Sequence, residues 1–194
     1  TISGLRFALS HNKIMWLIAF FFLSNIGLEF FFDFWQQLLL VNNGFDVKLF
    51  GIILALMMGI RALVSWFTHK IEKKLKETGS LLVVLVSQAI IFAVFGINNP
   101  ITLLISFGAL YAVFAFQEII FEDYVNAHIS SSNRATVLSV KSLVYNIFTA
   151  GLYVLLGWFM DLYSINVVVV GVAIIILIGT IILFSVKKES VNHS

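Results

Sequence analysis

Cysteine is absent from this sequence, and proline occurs once, at Pro100. The lack of cysteine excludes disulfides, thiolate metal sites and cysteine nucleophiles. Charged residues make up 11% of the chain, less than half of the roughly 25% usual in soluble domains. The net charge of +2 gives no general attraction for nucleic acid. A chain so poor in charge, and 60% hydrophobic, is predicted to be a membrane protein.

Six apolar stretches are each long enough for a helix to cross a bilayer core of about 30 Å. We predict an all-α membrane protein with spans at 14–41, 47–68, 80–97, 101–124, 136–158 and 167–186. The last span contains the β-branched run VVVVGVAIIILI, but in lipid a helix is favoured because it satisfies its own backbone. The predicted organisation is a cytoplasmic linker at 1–13, a six-helix bundle at 14–186 and a cytoplasmic tail at 187–194.

Basic residues are concentrated in alternate connections between the spans. The connection between the second and third spans holds Lys70, Lys73, Lys74 and Lys76, whereas the three connections on the other side contain only Lys48. Because cytoplasmic loops carry the excess of lysine and arginine, both termini are predicted to be cytoplasmic. The histidines fall in loops or termini without ligand spacing, so neither a metal site nor a cofactor is expected.

Two pairs of acids lie inside predicted spans, Glu29 with Asp33 and Glu118 with Glu122, each pair one helical turn apart. Both pairs begin at a similar depth from the start of their own span, and the two sets of three spans have opposite orientation. Inverted three-helix repeats with a site near their interface are a transporter construction. Because a carboxyl in a low dielectric can hold a proton, all four acids are candidates for a proton pathway. Acids that are only hydrogen-bonded between helices, or wetted near the headgroups, are the alternative.

Other polar residues lie at membrane depth as well. Arg61 is near the middle of the second span, and we expect it to pair with Glu29 or with an acid outside this chain, because an unpaired charge there is costly. Tyr145 and Asn146 in the fifth span are candidates either to contact a substrate or to bond helix to helix. The third and sixth spans carry no charge through their apolar cores and are expected to face lipid.

Three segments carry a resemblance to a known family. NRATVLSVKSL, at 133–143, resembles the start of the eleventh transmembrane helix in a bacterial branch of the major facilitator superfamily. GWFMDLYS, at 157–164, is similar to that family's Gly-x-x-x-Asp exit, and LFGIILALMMGIRALVSWFTHKIEKKL, at 49–75, resembles its eighth helix and basic loop. The family's Gly-x-x-x-Asp-Arg-x-Gly-Arg motif is degenerate, since SWFTHKIEKKLKETG keeps the basic residues but has no Asp.

The resemblance covers essentially the whole chain and implies the carboxy-terminal six of twelve helices. It implies a secondary transporter that works by alternating access, with proton-coupled efflux of a small amphipathic solute or drug as the expected activity. The implied partners are the amino-terminal six-helix half, the lipid bilayer, a small-molecule substrate and protons. The implied location is a bacterial cytoplasmic membrane. In that fold the first and fourth helices of each half line the central cavity, and the third and sixth lie outside.

Two further residues are expected to be structural or to act in gating. Asp161 belongs to the exit motif named above, and Arg134 is expected to pair with Asp123 or with acids of the other half. The chain opens with Thr1 rather than Met, so we expect it to be a piece of a longer protein, although a processed chain is the alternative.

Two rival classes stay open. An accessory or structural six-span protein needs no transport site, but it would not explain polar faces on four helices. Some intramembrane proteases use adjacent glutamates followed by Arg, with His and Asn on later helices. EDYVN, at 122–126, lacks that pattern, and no histidine lies within a predicted span. We therefore do not expect an enzyme.

Overall fold

Helices account for nearly all of the chain in a computed structural model, which describes residues 12–97, 99–129 and 131–192. No strand occurs in those ranges. The helices are α1 (Asn12–Asn43), α2 (Phe50–Phe95), α3 (Pro100–His128), α4 (Ser131–Leu162) and α5 (Ile165–Asn192), with a short 3-10 helix at Val47–Leu49. The predicted all-α class is confirmed, and the run VVVVGVAIIILI is helical within α5.

Five helical segments within the described ranges are long and apolar enough to cross a membrane. They are Lys13–Phe34, Val47–Phe95, Pro100–His128, Lys141–Leu162 and Ile165–Ser185. The second of them contains both the second and the third predicted spans, and the connection predicted between those spans is helical except at Lys76. Helix α5 also continues to Asn192, into the predicted tail, because no glycine or proline interrupts 187–192. Residues 1–11 of the predicted linker lie outside the described residues.

Helix α2 is interrupted at Lys76, whose φ of 60° and ψ of 172° are not helical. Two contacts show what the interruption does. Arg61 bonds to Glu118 at 2.5 Å, and Gln88 bonds to the adjacent Gln117 at 2.7 Å. In a straight helix Arg61 and Gln88 would be about 40 Å apart. The arms 50–75 and 77–95 therefore fold back antiparallel beside the same level of α3.

Contacts along the helices give the chain direction of each neighbour. Helix α3 runs antiparallel to α1, through the ring contacts Phe21–Phe121 and Phe31–Phe107. Helix α5 is also antiparallel to α1, through Trp16 bonding to the Leu183 carbonyl and Leu23 packing on Gly179.

Two segments are parallel to α1. The arm 77–95 is one, through Lys13–Glu77 and Phe31–Phe95. Helix α4 is the other, through Phe22–Phe148 and Asp33–Tyr153. Successive segments thus alternate in direction along the chain.

Aromatic packing fills the centre of the bundle. The Phe31 ring lies 4.9 Å from that of Phe95 and 5.0 Å from that of Phe107, joining α1, α2 and α3. Close approach needs a small residue beside it: a Cβ added at Gly27 would lie 2.3 Å from the Phe92 ring. Small residues at helix interfaces let membrane helices pack closely. The part of α1 that carries Glu29 and Asp33 is therefore closely packed on its apolar side.

One end of the bundle, which we call the basic end, contains Lys13, the reversal at Lys76, and the end of α3. Glu77 joins its elements, with Oε2 lying 3.7 Å from Lys13 Nζ and 3.9 Å from His128 Nε2. His128 Nδ1 is 2.7 Å from the Tyr124 carbonyl oxygen, so that nitrogen carries the donated proton and leaves Nε2 facing Glu77. The arms of α2 are thus tied at the reversal both to α1 and to α3.

The backbone at Lys76 gives a stability prediction. A side chain at this φ and ψ is strained by about 1–3 kcal/mol, in a region that glycine occupies freely. We expect Lys76→Gly to raise the free energy of unfolding by about 1 kcal/mol. The measurement is thermal or denaturant unfolding of the purified protein in detergent micelles.

Lys74→Gly is the matched control, because Lys74 lies two residues away in regular helical backbone. It should lower stability by about 1 kcal/mol. If the two glycine variants destabilise equally, the reversal at Lys76 is not where the chain is strained.

Candidate functional site

A cleft of about 260 Å³ opens between α1, α3 and α4, and we call it the acidic cleft. Its charged lining residues are Glu29, Glu118, Glu122 and Lys141, and its aromatic ones are Phe21, Phe114, Phe121 and Tyr145. Asn25 and Gln117 complete the lining. In the part of the chain that the structure describes, no three His, Cys, Asp or Glu side chains are grouped so that they could hold a metal ion. The cleft therefore combines an excess of negative charge with aromatic walls.

Both acids of α1 bond to tyrosines of α4. Tyr145 bonds to Glu29 Oε1, while the Tyr153 hydroxyl lies 3.1 Å from Glu29 Oε2 and also bonds to Asp33 Oδ2. Tyr145 is thus a helix-to-helix contact, one of the two roles predicted for it, and Asp33 sits on the exposed side of the pair.

Two tyrosine hydroxyls are the hydrogen-bond donors in this group. A tyrosine hydroxyl carries one proton and a carboxylate carries none. Three oxygen–oxygen contacts here share the two hydroxyl protons of Tyr145 and Tyr153. Tyr153 has one proton to share between Glu29 and Asp33, so a single hydroxyl links the two carboxyls of α1.

Arg61 is bonded to Glu118, with 2.5 Å between Nη2 and Oε2, and its guanidinium lies 5.0 Å from the Phe114 ring centroid. The predicted pairing of Arg61 with Glu29 is wrong, because the arm 50–75 packs along α3 and brings Arg61 to that helix. The side chains of Arg61 and Glu118 are 34% and 44% exposed. The pair thus lies at the surface of this chain, on the side where the cleft opens.

Lys141 enters the cleft from α4, and sequence reasoning did not identify it as a site residue. Its ammonium lies 3.8 Å from the Phe21 ring centroid and 4.9 Å from that of Phe121. Glu122 lines the same cleft and supplies a nearby opposite charge. A sequence signal was present, since Lys141 precedes the candidate Tyr145 by one helical turn and therefore shares its helix face.

Gln88 and Gln117 form a buried amide pair between the arm 77–95 and α3. They are 0% and 3% exposed, and Gln88 Nε2 donates to Gln117 Oε1 at 2.7 Å. This face of the third predicted span packs against the bundle and also buries Leu81, Val84 and Leu85 completely, whereas Ile90 and Val83 on the same span are exposed. The two partners are 29 residues apart along the chain, so local sequence patterns do not indicate their pairing.

The remaining predicted residues lie apart from the tyrosine–acid group. Arg134 donates to the carbonyls of Asn126 and Ile129, at 3.1 and 3.5 Å, and so caps the carboxyl end of α3. The predicted Arg134–Asp123 pair is wrong, because Asp123 faces His69 across 3.7 Å.

Asn146 is exposed on α4, and Asp161 is exposed near its end. Within the described part of the chain, neither residue is among those that line the acidic cleft. The substrate contact predicted for Asn146 and the gating role predicted for Asp161 therefore stay predictions.

Comparisons with known proteins return no match. No family model matches the sequence, and neither the curated proteins nor the solved structures contain a significantly similar chain. The fold class and the site geometry described above are therefore the basis for assigning a function.

The buried amide pair gives the site a stability prediction. We expect Gln117→Leu to destabilise the protein by about 1–3 kcal/mol, because the Gln88 amide would lose its partner in a dry environment. Gln88→Leu should cost a similar amount for the same reason. Replacing both residues should cost less than the sum, since no polar group is then left unpaired.

The double-mutant cycle is measured by unfolding in detergent micelles, with an expected coupling of about 1 kcal/mol. Ser185→Ala is a control for a polar change at an exposed position, and it should leave stability within about 0.5 kcal/mol. Strict additivity of the two leucine substitutions would mean that the amide bond contributes nothing.

Proposed function

We propose that this chain is one half of a secondary active transporter, which moves a small amphipathic solute out of the cell in exchange for protons. The observation that carries the proposal is the contact of both acids, Glu29 and Asp33, with the Tyr153 hydroxyl beside the acidic cleft. Glu29 belongs at once to this pair and to the lining of the acidic cleft. A proton taken up or released there changes the charge that a bound solute meets.

Six membrane crossings, rather than five, are part of the proposal. It is supported by the reversal at Lys76 and by the alternating direction of successive segments, which gives each arm of α2 its own crossing. An arm of about 20 residues suffices to cross a bilayer core. In the proposal, the six crossings form two inverted three-helix repeats. The acids of α1 and α3 then lie on either side of the interface between the repeats.

A second bundle facing the acidic cleft is the proposed partner. Only 6% of the Lys141–Leu162 span is buried against the rest of the chain, compared with 53% and 56% for the spans in α1 and α3. The polar groups on this side, including Glu118 and Asp33, are exposed. Lipid would not tolerate exposed charge at that depth, so water and a partner bundle are the surroundings that fit. The amino-terminal six-helix half of a major facilitator transporter is the partner that the sequence resemblance implies.

An amphipathic cation is the proposed substrate class. Three carboxylates line the cleft beside the rings of Phe21, Phe114 and Phe121. The Lys141 ammonium, lying over two of these rings, is the chain's own example of a cation that this environment accepts. The proposal assigns no bond-making chemistry to the cleft, and so describes a transporter rather than an enzyme.

The orientation proposed for the chain puts the basic end in the cytoplasm. Exposed Lys70, Lys73 and Lys74 lie at that end, and Lys48 lies at the other. This is the asymmetry expected from the positive-inside rule. By the family resemblance, the membrane is the cytoplasmic membrane of a bacterium.

Glu29→Gln tests proton coupling in the complete transporter. Proteoliposomes carrying an imposed pH gradient are supplied with ethidium, a fluorescent amphipathic cation. We expect gradient-driven uptake to fall about tenfold or more, because the amide cannot take up a proton. Ethidium counterflow without a gradient should persist, since the amide oxygen still accepts bonds from the tyrosines.

Asp46→Asn is the control, because it removes one carboxylate outside the cleft while asparagine preserves the cap on the Lys48 amide. It should transport normally. Gradient-driven uptake that is unchanged in Glu29→Gln, with an unchanged pH profile, would remove Glu29 from the coupling mechanism.

The absence of cysteine makes the number of crossings directly measurable. Single substitutions Lys48→Cys, Lys73→Cys and Ser164→Cys are labelled in intact cells with a membrane-impermeant maleimide. We expect labelling at Lys48→Cys and Ser164→Cys, and labelling at Lys73→Cys only after permeabilisation. Labelling of Lys48→Cys and Lys73→Cys from the same side would contradict two crossings by α2.

A further inference from the structure

The outer face of the arm 50–75 carries a second concave surface, away from the acidic cleft. It is an apolar groove of about 380 Å³, lined by Leu63, Val64, Phe67, Lys70, Ile71 and Lys74. Its residues recur along one face of the helix, and its volume lies in the range of ligand pockets. The apolar part begins at Leu63, and the two lysines stand at the end nearest the reversal. We call this surface the lysine-rimmed groove.

Charge is divided between the two faces of the segment that ends this arm. The acids Glu72 and Glu77 turn toward the bundle, where Glu72 accepts from the Tyr124 hydroxyl at 3.0 Å and Glu77 faces Lys13 and His128. Lys70 and Lys74 are exposed on the groove side. Among the described residues, neither lysine has a carboxylate within ion-pair distance. The positive charge of the groove is therefore not neutralised by its own segment.

The order of residues along the arm matches the layers of a membrane. Trp66, which is 79% exposed, stands beside the groove, and exposed tryptophan is enriched at the level of lipid headgroups. Lys70 follows one turn later, with its ammonium 5.4 Å from the Phe67 ring centroid, and Lys74 follows one turn after that. An apolar chain in the groove would thus lead directly to two unneutralised ammonium groups at headgroup depth.

We propose that the lysine-rimmed groove is a binding site for an anionic phospholipid. One acyl chain lies along Leu63, Val64 and Phe67, and the headgroup phosphate is bound by Lys70 and Lys74. Lysine attracts anionic headgroups near a membrane surface, and the apolar groove adds a contact that a soluble anion cannot make. The site requires only that the chain is embedded in a membrane, and so it is independent of the proposed transport.

The test uses the complete protein in a nonionic detergent, with bound lipid counted by native mass spectrometry. Phosphatidylglycerol is titrated against phosphatidylcholine with the same acyl chains, and glycerol 3-phosphate serves as the soluble headgroup. We expect one tightly bound phosphatidylglycerol, with weaker binding of both other probes. Lys70→Gln together with Lys74→Gln should weaken that binding about 30-fold, since each surface lysine contributes about a fivefold factor.

The control pair Lys48→Gln with Lys73→Gln removes the same charge, half of it from the same segment, but neither lysine lines the groove. It should leave the affinity for phosphatidylglycerol nearly unchanged. Leu63→Asn, on the exposed apolar wall, should weaken phosphatidylglycerol binding without changing the weak binding of glycerol 3-phosphate. All of these side chains are exposed, so folding is expected to be preserved, and unfolding of each variant is measured alongside.

Several results would overturn the proposal. Equal affinity for the two lipids would leave only a nonselective apolar surface. Binding of glycerol 3-phosphate as tight as that of phosphatidylglycerol would leave an anion site without an acyl groove. An equal loss of affinity for phosphatidylglycerol in both lysine-pair variants would mean that net charge alone explains the binding. Failure of Phe67→Cys to react with a lipid-soluble maleimide, together with an absence of bound lipid, would mean that a protein segment covers the groove.

Discussion

The reversal of the backbone at Lys76 is the constraint on which the rest of the arrangement depends. Because the two arms of α2 fold back against each other, adjacent residues of α3 can receive Arg61 from one arm and Gln88 from the other. The same reversal turns Glu72 and Glu77 inward and leaves lysines outside. One backbone conformation thus determines the ion pair beside the cleft, the buried amide pair and the distribution of charge at the basic end.

Helix α4 is attached to the bundle in a different way from the other helices. Little of its span is buried, and its contacts with α1 combine packing of the Phe148 ring on Phe22 with hydrogen bonds from Tyr145 and Tyr153 to Glu29 and Asp33. Apolar packing holds a helix in one position, whereas hydrogen bonds to titratable groups depend on protonation. Part of the attachment of α4 is therefore made by the same carboxyls that we propose for coupling.

Features set by neighbouring residues could be predicted from the sequence, whereas features set by contacts between distant residues could not. Helix type, approximate spans and the acid positions come from local composition and period, so they were predictable. The strained backbone at Lys76 was not, because lysine carries no preference for that conformation. Partners of Arg61, Gln88 and Arg134 depend on which helices pack together, and single-residue patterns contain little information about packing. Lys141 was missed because its side chain reaches further into the cleft than its position in the span indicates.

The hydroxyl shared between Glu29 and Asp33 bears on the number of charges exchanged in the proposed transport cycle. In that cycle, the two carboxyls joined through one tyrosine act as a single site. If the pair retains one negative charge and exchanges one proton, a monovalent cation leaving in return makes the exchange electroneutral. Such a transporter would draw on the pH gradient alone and be indifferent to the membrane potential. A divalent substrate would feel both, because one net charge would then cross the membrane in each cycle.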